Sequence, residues 1–214
     1  MKVLIIIPAY NEDENIIKLI KIIQNEYTNI QIILIDDSNN FLTKQNIEKY
    51  KFSNLQYVKR DMKFGRGSAI RYGFEYSTKH SFDYIIEMDS DCSHDAIEIK
   101  FLLQTITKKK YDLIIGSRYL KKSKIIGWPL RRVIFSRLAN FFAQILFGFD
   151  ITDYTNGFRI YNSKSITELM KYEIKNNGFI YLTETLIILK NKKYRIGEYP
   201  TIFINRKFGN SSVS

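Results

Sequence analysis

The chain has 214 residues, 33 of them Lys or Arg and 22 Asp or Glu, for a formal net charge of +11. That length and a 45% hydrophobic content fit a globular chain, read here as one domain spanning residues 1–214, and exclude a disordered one. One cysteine and two histidines exclude a disulfide framework and a four-ligand Cys/His zinc site. No apolar run approaches the ~20 residues that span a bilayer, and the short N-terminal run is cut by Pro8, which argues against a signal peptide and places the chain in a reducing, cytosol-facing setting.

Residues 2–8 (KVLIIIP) are a short β-branched run that reads as a buried strand. Over 12–27, Ile16, Leu19, Ile20 and Ile23 recur at helical spacing while Lys18 and Lys21 face away. Residues 31–36 (QIILID) read as a second strand and 55–59 as a third. A helix over 68–80, a strand over 83–89 (DYIIEMD), a helix over 95–108 and a strand over 112–117 (DLIIGS) complete the series. This alternation predicts an α/β fold with a mostly parallel central sheet flanked by helices. Ligands of such sheets collect beyond the carboxyl ends of the strands. Three of those ends finish in polar clusters, at residues 8–12, 36–40 and 89–94.

The second half differs. Trp128-Pro129 leads into a long apolar and basic helix over 130–149, from Leu130 to Phe149. Residues 153–161, a helix near 181–190, a strand near 196–204 and an exposed tail over 205–214 follow.

Glu87-Met88-Asp89-Ser90-Asp91 places two carboxylates two residues apart at a strand end. They can converge on one Mg²⁺ or Mn²⁺, with water and phosphate oxygens completing the shell; a solvated turn is the bland alternative. Asp36-Asp37 at a second strand end would share that rim. Gly65-Arg66-Gly67-Ser68-Ala69, with Gly73 beyond, reads either as a phosphate-binding loop or as a tight turn with close helix packing, and is not the dinucleotide fingerprint. Cys92 reads as a small buried hydrophobe.

The 130–149 helix carries Arg131, Arg132 and Arg137 with no acidic residue before Asp150. Cations near a helix N-terminus oppose the macrodipole, a conflict that a bound phosphate would relieve. Its apolar stripe of Ile134, Leu138, Phe141, Phe142, Ile145, Leu146 and Phe149 fits a core helix with snorkelling arginines, or a helix on a membrane surface or a membrane-embedded partner. A nucleic-acid module is the other outlet for the basic charge. Against it, the acidic rim sits where the ligand should be, so no nucleic-acid partner is expected.

Taken together, Pro8-Ala9-Tyr10-Asn11-Glu12, Asp36-Asp37, Gly65-x-Gly67-x-Ala69, Met88-Asp89-x-Asp91-x-Ser93-His94 and Gly116-Ser117-Arg118-Tyr119 occur in the order seen in glycosyltransferase family 2, which the chain resembles over its whole length. Ser136-Arg137-x-Ala139-Asn140, Asp153-x-Thr155-x-Gly157-Phe158-Arg159, Ile196-Gly197-Glu198-x-Pro200 and Arg206-Lys207-x-Gly209-x-Ser211 resemble its dolichyl- and polyprenyl-phosphate mannose synthase branch. The resemblance implies a nucleotide-diphospho-sugar transferase (GT-A type) fold, a divalent metal (Mg²⁺ or Mn²⁺), and inverting transfer of a sugar from a nucleotide-sugar donor to a polyprenyl-phosphate acceptor. GDP-mannose is the leading donor and UDP-glucose the rival; a saccharide acceptor and a non-catalytic nucleotide-sugar binder are further alternatives.

By position, the resemblance assigns Pro8, Tyr10, Glu12, Asp37 and Asp89 to the nucleotide sugar and Asp89, Asp91 and Ser93 to the metal. Arg118, Arg132 and Ser136 fall to the acceptor phosphate, and Asp91, Arg118, Arg132 and Arg206 to catalysis. It also implies a peripheral enzyme on the cytoplasmic face of a membrane. The family's third acidic residue after Asp36-Asp37 is missing from Ser38-Asn39-Asn40, and Ser212 stands where a Lys is usual. Many relatives continue past the point where this chain stops, which implies a short form relying on small membrane-protein partners, or a truncated one.

Overall fold

A computed structural model describes residues 1–148 and 150–205. Phe149 and the 206–214 segment with Arg206, Lys207 and Ser212 lie outside the described residues. In chain order the elements are β1 (Val3–Ala9), α1 (Asp13–Glu26), β2 (Ile30–Asp36), α2 (Leu42–Tyr50), β3 (Leu55–Lys59), α3 (Arg66–His80), β4 (Tyr84–Glu87), α4 (Ile99–Lys109), β5 (Leu113–Ser117), β6 (Lys124–Ile126), α5 (Leu130–Phe147), β7 (Arg159–Asn162), α6 (Ser163–Leu169), α7 (Tyr181–Asn191), β8 (Ile196–Pro200) and β9 (Ile202–Ile204). The main sheet has the order β3-β2-β1-β4-β7-β5-β8, parallel except for β7.

The sheet's two faces divide β1 by its period of two. Val3, Ile5 and Ile7 pack on one side under α1 and α4; Leu4 and Ile6 pack on the other under α3 and α7. The helical stripe Ile16, Leu19, Ile20 and Ile23 closes the first side, and Ala69, Ile70 and Phe74 close the second. Each large aliphatic side chain buried this way stabilises the fold by about 1.5–3 kcal/mol. Gly73 lets α3 approach β1: a Cβ there would stand 2.5 Å from the Ile6 Cγ2.

Two expectations are corrected, and one region that carried no assignment gains a strand. The segment near 196–204 is two strands broken at Thr201, β8 in the main sheet and β9 paired with β6. The 153–161 region ends in β7, which enters the sheet antiparallel: α5 remains at the carboxyl-end side, so the chain returns from that side. Cys92 is only half-buried, at φ +59°, with its thiol on the Asn15 carbonyl at 3.4 Å.

Helix α5 decides between the two readings of its stripe, because of its eighteen residues only Asn140 and Ala143 are buried. Its inward face is polar: Arg132, Ser136, Asn140 and Gln144, spaced four apart, bond to Asn205, Tyr119, Thr155 and the Ile151 carbonyl. Its outward face is apolar, with Leu130, Ile134, Phe135, Leu138, Phe141, Phe142, Ile145 and Leu146 all exposed. This is an inside-out amphipathic helix, and the core-helix reading is set aside. Among the described residues no helix is long and apolar enough to cross a membrane.

Candidate active site

A cavity of about 400 Å³ opens beyond the carboxyl ends of β1, β2 and β4. Its lining includes Pro8, Tyr10, Glu12, Asp37, Asp89 and Asp91, so the expected nucleotide-sugar residues and the D-x-D pair do converge on one rim. Asp37 is fixed by Arg60, whose Nε and Nη2 reach its two oxygens at 2.5 and 2.6 Å, and by the Phe64 N–H at 3.1 Å. Asp36 points inward instead, accepting from the Tyr57 hydroxyl at 2.7 Å and the Ser38 N–H at 2.8 Å. Lys63 sits 4.4 Å above the Tyr10 ring at the mouth.

The floor is a buried charge network. Arg66 sends Nε and Nη2 to the same oxygen of Asp89, Oδ1, at 2.9 and 2.8 Å, and Nη1 to Glu87 Oε1 at 2.5 Å. Burial alone would raise the Asp89 pKa, but Arg66 together with the neighbouring positive charge outweighs it and holds the carboxyl below its ordinary range. Glu87 is fully buried, and burial pushes its pKa up despite Arg66 and Arg159. Behind Asp89, His94 accepts the Asp89 N–H on Nδ1 at 3.3 Å and faces the Asn156 Oδ1 with Nε2 at 3.1 Å. That arrangement suits the neutral tautomer protonated on Nε2, and burial lowers the ring's pKa against the pull of Asp89 and Asp91.

A second group lies one ring away. Phe203 meets His94 edge-on at 5.3 Å and lies 5.6 Å from the Arg118 guanidinium. Arg118 is buried and clamped by Asp153, with Nε and Nη2 each at 2.8 Å from its oxygens. Burial opposes the Arg118 charge, but the Asp153 pair outweighs it and raises the pKa. Arg118 and Arg132 flank one indole, at 5.4 and 4.1 Å from the Trp128 ring. Both guanidiniums therefore border one aromatic ring, Arg118 with its Nε and Nη2 on Asp153. The Trp128 Nε1–H is buried with no hydrogen-bond partner among the described residues, an orphan donor in the same place. Ser136 accepts from the Tyr119 hydroxyl at 2.6 Å.

Arg118, Arg132 and Ser136 do not line the cavity; they stand together beside it, with α5 supplying the last two. Ser93 is buried outside the lining, and its backbone N–H holds Asp91 Oδ1 at 3.0 Å. Arg206 lies outside the described residues.

The donor set suits a hard divalent cation only in part. Asp89 and Asp91 offer carboxylate oxygens, yet among the described residues no group of three His, Cys, Asp or Glu could hold a metal. Mg²⁺ and Mn²⁺ accept this arrangement, because one or two carboxylates plus substrate phosphates and water complete their shell. The residues therefore fit an ion that arrives with a diphosphate.

Motif reading missed Lys63, Gly178 and Phe179, which also line the cavity, and named Arg66 only as part of the glycine loop. The glycines of 65–67 serve close packing: Gly65 adopts φ +91°, and the Gly67 N–H bonds the Asn177 carbonyl at 2.7 Å. The 175–178 loop is shaped by Glu184, which accepts from the Lys175 and Asn176 N–H groups at 2.9 and 3.1 Å. Its signal in the sequence was the Asn176-Asn177-Gly178 stretch directly ahead of an apolar helix.

The sheet with this acidic rim is the architecture of GT-A transferases. The fold superimposes with a TM-score of 0.72 on glucosyl-3-phosphoglycerate synthase from Mycobacterium tuberculosis in complex with Mn²⁺, uridine diphosphate and phosphoglyceric acid, at 16% identity over 99% of this chain and 72% of that one. Residues 4–170 match glycosyl transferase family 2, and the chain belongs to that family of glycosyltransferase enzymes. Polyprenol monophosphomannose synthase of Mycolicibacterium smegmatis is 28% identical over 216 residues, covering 100% of this chain and 81% of that protein. Undecaprenyl-phosphate mannosyltransferase of Micrococcus luteus is 27% identical, covering 100% and 88%.

Proposed function

We propose that the enzyme transfers mannose from GDP-mannose to the phosphate of a polyprenyl lipid, working peripherally on the cytoplasmic face of a membrane. The observation that carries this reading is helix α5. One helix turns Arg132 onto the Trp128 ring and Ser136 onto the Tyr119 hydroxyl, the two aromatic residues that Arg118 also borders, while turning its apolar side outward. A lipid phosphate has both the anion and the chain to use those two faces. The mannosyltransferases of M. smegmatis and M. luteus support the same acceptor class and sugar. The apolar face suits lipid, or the membrane span of a small partner protein.

The chemistry needs little from the protein beyond positioning. A lipid monophosphate has its second pKa near ~6, so its oxygen is already an anionic nucleophile at neutral pH. It attacks the anomeric carbon as the bond to the nucleoside diphosphate breaks on the opposite side, inverting that centre and requiring no general base. Pro8, Tyr10, Glu12 and Asp37 hold the nucleoside end of the donor, with Asp89 at its diphosphate and sugar. Arg118, Arg132 and Ser136 hold the acceptor phosphate against the repulsion of the donor's diphosphate. Mg²⁺ or Mn²⁺ held by Asp89 and Asp91 would supply positive charge to the departing diphosphate.

The test offers labelled GDP-mannose and UDP-glucose, each with Mg²⁺ or Mn²⁺, to polyprenyl phosphate in vesicles. Label in the extracted lipid from GDP-mannose alone is the expected result. Label from UDP-glucose alone would transfer the assignment to a glucosyl donor.

A further inference from the structure

We infer that Arg66 is a positioning residue for Asp89, and that Gly157 exists to seat it; this rests on the proposed role of Asp89 and Asp91 at the donor diphosphate. The guanidinium has five N–H donors, and protein acceptors engage all three nitrogens. Nε and Nη2 converge on Asp89 Oδ1 at 2.9 and 2.8 Å. Nη1 reaches Glu87 at 2.5 Å and the Tyr181 hydroxyl, and Nη2 also faces the Gly157 carbonyl at 3.4 Å. The side chain is only 8% exposed although it borders the cavity. Arg66 is therefore committed inward, to Asp89 and Glu87.

Its geometry fixes one oxygen of Asp89 and leaves the other outside the clamp: Oδ2 has His94 Nε2 at 3.9 Å. Arg66 thus anchors Asp89 through Oδ1, and His94 stands on the Oδ2 side. Such supporting contacts decide ligand affinity by fixing the orientation of the ligating group. Gly157 is part of the same device, because a Cβ at that position would collide with the Arg66 guanidinium. Tyr181 and Phe179 cap the group, with the guanidinium carbon 5.4 and 5.5 Å from their rings.

The competing explanation is that Arg66 merely neutralises Glu87, a buried carboxylate that would otherwise be costly. The double variant Arg66→Met/Glu87→Gln separates the two. It removes both charges of the pair, and the amide oxygen it introduces can still accept from one of Tyr181 and Tyr161, which bond the two different Glu87 oxygens in the parent. Thermal melts and calorimetric titration with GDP, with and without Mn²⁺, are read on the full chain. The expected result is a Tm within about 5 °C of the parent together with a loss of about tenfold or more in Mn²⁺-dependent GDP affinity. Arg66→Lys should keep a parent-like Tm yet show the same loss of affinity, since a point charge cannot reproduce the fork. Gly157→Ala, which leaves every ionisable group in place, should lose the affinity as well. Parent-like Mn²⁺-dependent affinity in the double variant overturns the inference; should that variant fail to fold, parent-like affinity in Gly157→Ala overturns it. A parent that binds GDP identically with and without Mn²⁺ would instead overturn the metal assignment itself, and this inference with it.

Discussion

Replacing Phe135, Phe142 and Leu146 with serine removes three side chains from the outward stripe of α5 that are 71%, 60% and 72% exposed. Complete transfer of a Phe or Leu side chain from water contributes about 1.5–3 kcal/mol. Taking two-thirds of that for the exposed fraction gives about 1–2 kcal/mol each, so three lost at a membrane surface weaken binding by at least about 3 kcal/mol. That is roughly a hundredfold in partition coefficient. Stability should change far less, because these side chains are not packed in the body: about 0.5 kcal/mol per site, from helix propensity. The assay is co-sedimentation with vesicles containing anionic phospholipid, alongside a thermal melt. Unchanged sedimentation would refute the membrane reading of the helix. A Tm loss above about 10 °C would show that the stripe is packed in solution, in a second copy for example.

Four further outcomes are expected. Asp91→Asn keeps an acceptor for the Ser93 N–H but loses the charge, so Mn²⁺-dependent GDP affinity should fall at least about tenfold in calorimetric titration; a parent-like metal effect in the variant would refute it. Arg132→Ala should raise the KM for polyprenyl phosphate roughly tenfold or more, the worth of one charge-assisted bond, with GDP affinity unchanged in titration. The pKa of buried Asp153 is lowered because Arg118 and backbone N–H groups bonding its ionised form outweigh burial. Its stabilisation is therefore complete above the ordinary carboxylate value of 3.8 and is lost as pH falls through the lower folded value. Asp153→Asn should cost about 3–5 kcal/mol at pH 7 and show a shallower fall in Tm below about pH 4 than the parent; parallel Tm profiles would contradict the assignment. Gly73→Ala should lower stability by about 1–3 kcal/mol, read as a Tm shift, since its Cβ would stand 2.5 Å from Ile6.

Periodicity made the first half legible. Apolar runs of β1 and β2 and the stripe of α1 state their own burial, and polar clusters at strand ends marked the cavity before it was seen. Three things resisted. β7 is four residues long and antiparallel, and its place depends on a chain that never crosses the sheet. The stripe of α5 is the same whether it faces a core or a membrane; only its polar contacts, distant in sequence, show which side is in. Arg66 stood inside a glycine motif that drew attention to the backbone, and its partners Glu87, Gly157 and Tyr181 are 21 to 115 residues away.

The most direct test of the account is transfer from labelled GDP-mannose to polyprenyl phosphate, set against the same lipid as its free alcohol, polyprenol, with Mn²⁺ in both. The account predicts label in the organic extract with the phosphate and none with the alcohol, because Arg118, Arg132 and Ser136 recognise an anion that is also the nucleophile. Equal labelling of the alcohol, or labelling only of a water-soluble saccharide, would contradict it.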